Sequence, residues 1–245
     1  STNNSNNVNI FLLNGGTLQA GSGANTNFFS NGIALFSLGV GGGTIDSSSN
    51  PITIGAVIAG VGSLTKAGNG TLTLVGANTY TGTTLVNAGT LLVNGSLNAS
   101  STVAVSAGST LGGGGSVGAV TLSSGGTISP GNSPGTLTVT SSIWNGGAFY
   151  NWQLQDGSLG AGIGWDKIVG TGSLNFQNLG AGTLFTVNLQ TLTNNGTPGW
   201  AANFNSSQST NWTIATFASG VFGFNTNFVV VDTSGFSNSY TGLFS

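Results

Sequence analysis

Four aspartates, Asp46, Asp156, Asp166 and Asp232, make up the whole acid and base inventory of this 245-residue chain apart from two lysines; His, Cys, Glu, Arg and Met are absent. Every nucleophile and base pair built on histidine or cysteine is therefore excluded, as are imidazole and thiolate metal sites. Two carboxylates on one face of neighbouring strands would be the remaining route to catalysis, one as acid and one as base. Asp156 and Asp166 are the one pair close in sequence. Their neighbours argue for structural roles: Asp156 precedes Gly157 in a turn that an aspartate caps, and Asp166 ties a loop in the run WDKIVG. No enzyme is expected. No calcium loop of alternating aspartates is present, so neither a metal nor a cofactor is expected. Lys66 and Lys167 form no basic patch and the net charge is -2, which leaves nothing to neutralise phosphate and argues against nucleic-acid binding.

The elements that carry these residues are strands. In TLTLV, Thr71, Thr73 and Val75 point one way while Leu72 and Leu74 point the other, so one face is buried. The triplet Gly-Thr-Leu/Ile recurs at Gly16, Gly43, Gly70, Gly89, Gly126, Gly135 and Gly182, with gaps of 27, 27, 19, 37, 9 and 47 residues. Such self-similarity predicts a solenoid with rungs of roughly 20 to 27 residues, each burying its face only by stacking on the next. Helix is nearly excluded, because Gly, Thr, Asn, Ser and Val dominate and all are weak helix formers. Asn-Gly pairs at Asn14, Asn31, Asn69, Asn94, Asn145 and Asn195 supply the corners. At about 4.8 Å per layer, roughly 9 to 12 layers give a rod on the order of 50 Å long.

The segment from Gly60 to Gly95 closely resembles the autotransporter-associated β-strand repeat of bacterial surface proteins. Gly60, Gly62, Leu64, Lys66, Gly68, Gly70, Thr71, Leu72, Leu74, Gly76, Asn78, Tyr80 and Gly82 occupy its pattern G-x-G-x-L-x-K-x-G-x-G-T-L-x-L-x-G-x-N-x-Y-x-G. ISPGNSPGTLTV at 128–139 looks like the rung that follows such repeats, and Trp152, Leu154, Trp165, Asp166, Gly172 and Leu174 are similar to the aromatic C-terminal part of the same proteins. The resemblance implies an all-β, right-handed parallel β-helix exported to the cell exterior, and it implies no reaction. Neither the membrane barrel nor the short sorting tail of related proteins is present, and Ser1 to Asn9 lacks the basic and long apolar regions of an export signal. A processed or truncated chain without a membrane span is expected.

All five Trp and 10 of 14 Phe lie after residue 140, so the core should thicken there. Three sections follow: early strands at 1–55, narrow rungs carrying the repeat at 56–140, and a broader aromatic section at 141–245. Large rings mostly pack inward; Trp165 and Trp212, beside polar neighbours, are the candidates for exposed rings that stack on a glycan.

Only 2% of residues are charged, against about a quarter in ordinary soluble domains. Nothing of that kind blunts exposed strand edges, so the terminal rungs are expected to pair with another copy, end to end, as an extracellular homopolymeric fibre. VNIFLL at 8–13 is the candidate donated strand, with Val8, Ile10 and Leu12 on it and Leu243 and Phe244 at the opposite end. The alternatives are a monomeric adhesin or stalk binding cell-surface polysaccharide through exposed aromatics, an ice-binding threonine ladder, for which the spacing is too irregular to give one plane, and a polysaccharide-cleaving enzyme.

Overall fold

The computed structural model describes residues 10–21, 27–28, 35–207 and 210–240. Among the described residues, three strands and three corners make most rungs, and nine rungs stack in parallel register into a β-helix. The first three rungs are β1 (Ile10–Leu13), β2 (Thr17–Gln19) and β3 (Asn27–Phe28); β4 (Leu35–Leu38), β5 (Gly43–Asp46) and β6 (Ile52–Ile54); and β7 (Ile58–Gly60), β8 (Leu64–Ala67) and β9 (Thr71–Leu74). Rungs four and five contain β10 (Thr84–Val86) and β11 (Thr90–Val93), then β12 (Val103–Val105) and β13 (Thr110–Gly113); on their first face they pair only through single bridges at Ala77, Ser96 and Ser116. Rungs six and seven are β14 (Ser116–Val117), β15 (Val120–Leu122) and β16 (Thr127–Pro130), then β17 (Thr136–Val139), β18 (Ser142–Asn145) and β19 (Phe149–Leu154). Rungs eight and nine are β20 (Lys167–Gly170), β21 (Leu174–Gln177) and β22 (Phe185–Thr191), then β23 (Ala215–Phe217), β24 (Val221–Phe222) and β25 (Val229–Gly235). At about 4.8 Å per layer, nine rungs make a stack about 40 Å long.

Alternation of buried and half-buried residues runs through almost every strand, as in Thr71–Leu74, where both leucines are fully buried. Stacking converts that alternation into columns. One inward column on the second face runs Ile45, Lys66, Val86, Val105, Leu122, Trp144 and Phe176. Another on the third face runs Ile52, Leu72, Leu91, Leu111, Ile128, Tyr150, Val187 and Val231. Each aliphatic residue thus rests on another, and the aromatics enter the same columns at rung seven. Trp144 stacks on Phe185 with ring centroids 4.9 Å apart and meets Phe176 edge-on.

The irregular triplet gaps now have a cause: Gly-Thr-Leu/Ile opens strands on all three faces, at β2 and β5 on the second, at β9, β11 and β16 on the third, and at β17 on the first. True rung length follows from the register. Thr71, Thr90, Thr110, Thr127, Phe149, Thr186 and Val230 stand one above another, in steps of 19, 20, 17, 22, 37 and 44 residues. The last two steps exceed the expected 20 to 27 because long corners are inserted at 155–166 and 192–214. They carry Trp165, Phe204 and Trp212, which pack against the core.

Candidate functional site

The polar residues that define the repeat are used inside the molecule. Lys66 lies in an inward column and is fully buried; its Nζ donates to the carbonyls of Ala67 at 2.9 Å, Gly68 at 2.7 Å and Ala88 at 2.9 Å. Burial lowers its pKa to about 8, against the opposing pull of the Asp46 carboxylate. Asn78 joins three rungs: its Oδ1 accepts from the Ile58 amide at 2.9 Å, and its Nδ2 donates to the carbonyls of Gly76 and Ser96. The Tyr80 hydroxyl is buried against Thr84 Oγ1 at 2.6 Å, and burial raises its pKa. At corners where the strand ladder lapses, Lys66 thereby supplies a partner to the Gly68 and Ala88 carbonyls and Asn78 one to the Ile58 amide, whereas Tyr80 bonds another side chain.

The aspartates are separated by environment. Asp166 is fully buried, and its two carboxylate oxygens accept from the Gly135 amide at 2.8 Å and the Gln153 amide at 3.0 Å. Burial raises its pKa to about 8, the two amide bonds opposing the shift. The Asp166 carbonyl accepts from Trp152 Nε1 at 2.9 Å, which fixes the 155–166 corner to rung seven. Asp156 sits at the surface, holding the turn through the Ser158 hydroxyl and amide and the Asn203 side chain, which keep its pKa low. Asp46 accepts from the Ser48 amide and Gln19 Nε2, and Asp232 from the Ser234 amide. Asp156 and Asp166 thus serve separate backbone segments, and among the described residues no group of three or more metal-binding side chains lies together.

Of the rings singled out from the sequence, Trp165 and Trp212 are both half-buried. Trp212 packs on Trp152, Trp165 and Phe204 with centroids 5.7, 6.5 and 5.9 Å away, and its Nε1 is buried without a hydrogen-bond partner. Trp165 Nε1 points to the Thr213 carbonyl at 3.4 Å. The most open indole is Trp200, 69% exposed in the 192–214 corner, and its sequence neighbourhood held no signal for it.

Among the association candidates, Ile10 and Leu12 lie on β1, 58% and 61% exposed, with β4 the strand's partner on one side. Val8, Leu243 and Phe244 lie outside the described residues. The threonine row Thr71, Thr90, Thr110, Thr127 is in register, but the row beside it reads Thr73, Leu92, Gly112, Ser129, so no double threonine ladder forms.

A polar surface that the sequence reading missed occupies the outer third face at rungs seven to nine. Register places Asn151 beside Asn188 and Asn188 beside Asp232, with Gln153 beside Gln190 in the next row. Asn188 Nδ2 donates to Asn151 Oδ1 at 2.7 Å, and Gln153 Nε2 to Gln190 Oε1 at 3.0 Å. A register shift between β22 and β25 falls at this point. Only the stacking of distant strands brings these residues together.

The chain is thus a parallel β-helix whose repeat-defining polar groups are bonded within its own rungs. Residues 64–93 match the passenger-associated-transport-repeat family. The chain is also 43% identical over 88 residues to the adhesin BmaC autotransporter of Brucella suis biovar 1 (strain 1330), a stretch covering 33% of this chain and 2% of that protein. The chain therefore spans a small part of that relative's length. These similarities support an autotransporter passenger-type repeat protein with an extracellular or cell-surface location. No described helix is long and apolar enough to cross a membrane.

Proposed function

We propose that this chain is a non-enzymatic section of a cell-surface adhesin, a stiff β-helical rod whose outer faces engage a partner while its interior holds the rungs in register. The observation that carries this reading is the division of polar groups: Lys66, Asn78, Tyr80 and Asp166 are committed to internal hydrogen bonds, and the half-open amides gather on the outer face of the late rungs. The similarity to an adhesin autotransporter points the same way. Host cells incubated with the purified, labelled chain should retain it saturably above an inert protein of equal size. Retention equal to that control would end the adhesin reading.

A second reading, end-to-end self-assembly into a surface fibre or matrix filament, is favoured by Ile10 and Leu12, apolar and exposed on a terminal strand of a nearly uncharged molecule. Negative-stain images should then show filaments, and the double substitution Ile10→Asp and Leu12→Asp should abolish them without lowering Tm. A monodisperse monomer at high concentration would contradict it.

A further inference from the structure

We propose that the outer third face at rungs seven to nine is a groove for a neutral oligosaccharide, lined by Asn151, Asn188, Gln190, Asp232 and Ser234. This rests on the adhesin reading and gives it a ligand class. The groove encloses about 290 Å³ between β19, β22 and β25, room for one or two sugar rings at the small end of ligand sites. Its floor is the side-chain ladder. Each amide spends one group on its neighbour: Asn188 Nδ2 on Asn151 Oδ1, and Gln153 Nε2 on Gln190 Oε1. Asn151 Nδ2, Asn188 Oδ1 and Gln190 Nε2 have no protein partner among the described residues, and their residues line the groove together with Asp232, which accepts from the Ser234 amide and hydroxyl. Along the helix axis the row therefore offers a donor on β19 and acceptors on β22 and β25 at the strand spacing of about 4.8 Å, with a second donor, Gln190 Nε2, in the next row. Vicinal hydroxyls, each both donor and acceptor, match such a row.

Two observations narrow the chemistry. The register shift at Asn188 and Gln190 gives β25 one extra residue, a bulge of the kind that re-aims side chains. Charge selects against acidic glycans: Asp232 is the charged residue of the groove, while Lys66 is buried on the second face and Lys167 lies on β20 of the first. A single carboxylate is also too few for a calcium site.

The test is calorimetric titration of the chain with neutral cello-, manno- and chito-oligosaccharides, beside sialylated and sulfated chains of similar length. At least one neutral probe should bind, and the acidic ones should not. The double substitution Asn188→Ala and Gln190→Ala should weaken binding about tenfold or more with Tm held within a few degrees. Asp232→Ala, at an exposed position, should weaken it several-fold and serves if the double variant fails to fold. No binding of any neutral probe, acidic probes binding as tightly as neutral ones, or binding undiminished from the unmodified chain in the folded double variant or, where that fails to fold, in Asp232→Ala, overturns the groove. Cell retention separates the two readings: loss of probe binding with retention intact removes the groove alone, and absent retention removes the adhesin reading itself.

Discussion

Lys66 shows how a charged side chain becomes part of a core. Beside the Ala67 carbonyl, which the Ser47 amide also reaches, its ammonium satisfies the Gly68 and Ala88 carbonyls in two rungs, replacing backbone pairing that the corner lacks. Lys66→Met keeps the volume and strands those carbonyls; a loss of about 2 kcal/mol in denaturant unfolding is expected, net of the relieved burial of charge. Asp166 and Lys66 together predict an unusual pH profile. The folded-state pKa of Asp166 is raised to about 8, so its contribution is full below the ordinary carboxylate range and is lost as pH climbs through about 8. That of Lys66 is lowered to about 8, so its penalty is relieved as pH rises from there toward its ordinary value. Tm should therefore fall from about pH 4 to about pH 8 and recover above it. Asp166→Asn should flatten the acid limb, which thermal scans across pH would read directly. From the sequence, the turn cap of Asp156 was legible because Gly157 and Ser158 mark a local turn, and the loop-tying role of Asp166 because WDKIVG resembles a run of the family. The distant partners of Lys66 and Asn78, which are Ala88, Ile58 and Ser96, were not, because they come from rungs about 20 residues away.

At the scale of the strand and its corner, alternation in segments such as TLTLV was enough to identify strand and buried face, since a period of two leaves one arrangement that buries the leucines. The distribution of strands over three faces was hidden, because the same Gly-Thr-Leu triplet opens strands on all of them. Glycine sets how closely rungs approach. A Cβ on Gly62 would collide with the Gly39 carbonyl one rung below, whereas one on Gly55 would meet nothing within 4 Å. Gly62→Ala should cost about 1–3 kcal/mol, and Gly55→Ala should stay within about 0.5 kcal/mol. Equal effects in equilibrium unfolding would show that the rungs have more freedom to separate at this corner than the structure indicates.

Across the whole molecule, the concentration of aromatics after residue 140 suggests a separate section, and the structure shows the parallel ladder running through that point from β17 to β20 and from β19 to β22. The amide groove was not legible, since Asn151, Asn188 and Asp232 are scattered in a chain full of asparagine. With 2% of residues charged, any partner held by this rod is held by hydrogen bonds and apolar contact. Raising salt from about 50 to about 500 mM should therefore change cell retention less than twofold, as screening acts on charge pairs that are nearly absent. A steep loss of retention with salt would contradict that.

The sheltering of Lys66 has a practical outcome. Lysine-directed proteolysis and lysine labelling have two possible targets in this sequence; one is locked among carbonyls in the interior, and the other, Lys167, is half-covered within β20. Trypsin shaving of intact bacteria, a common way to survey what a cell displays, would pass over this rod and leave it uncounted among the molecules on view.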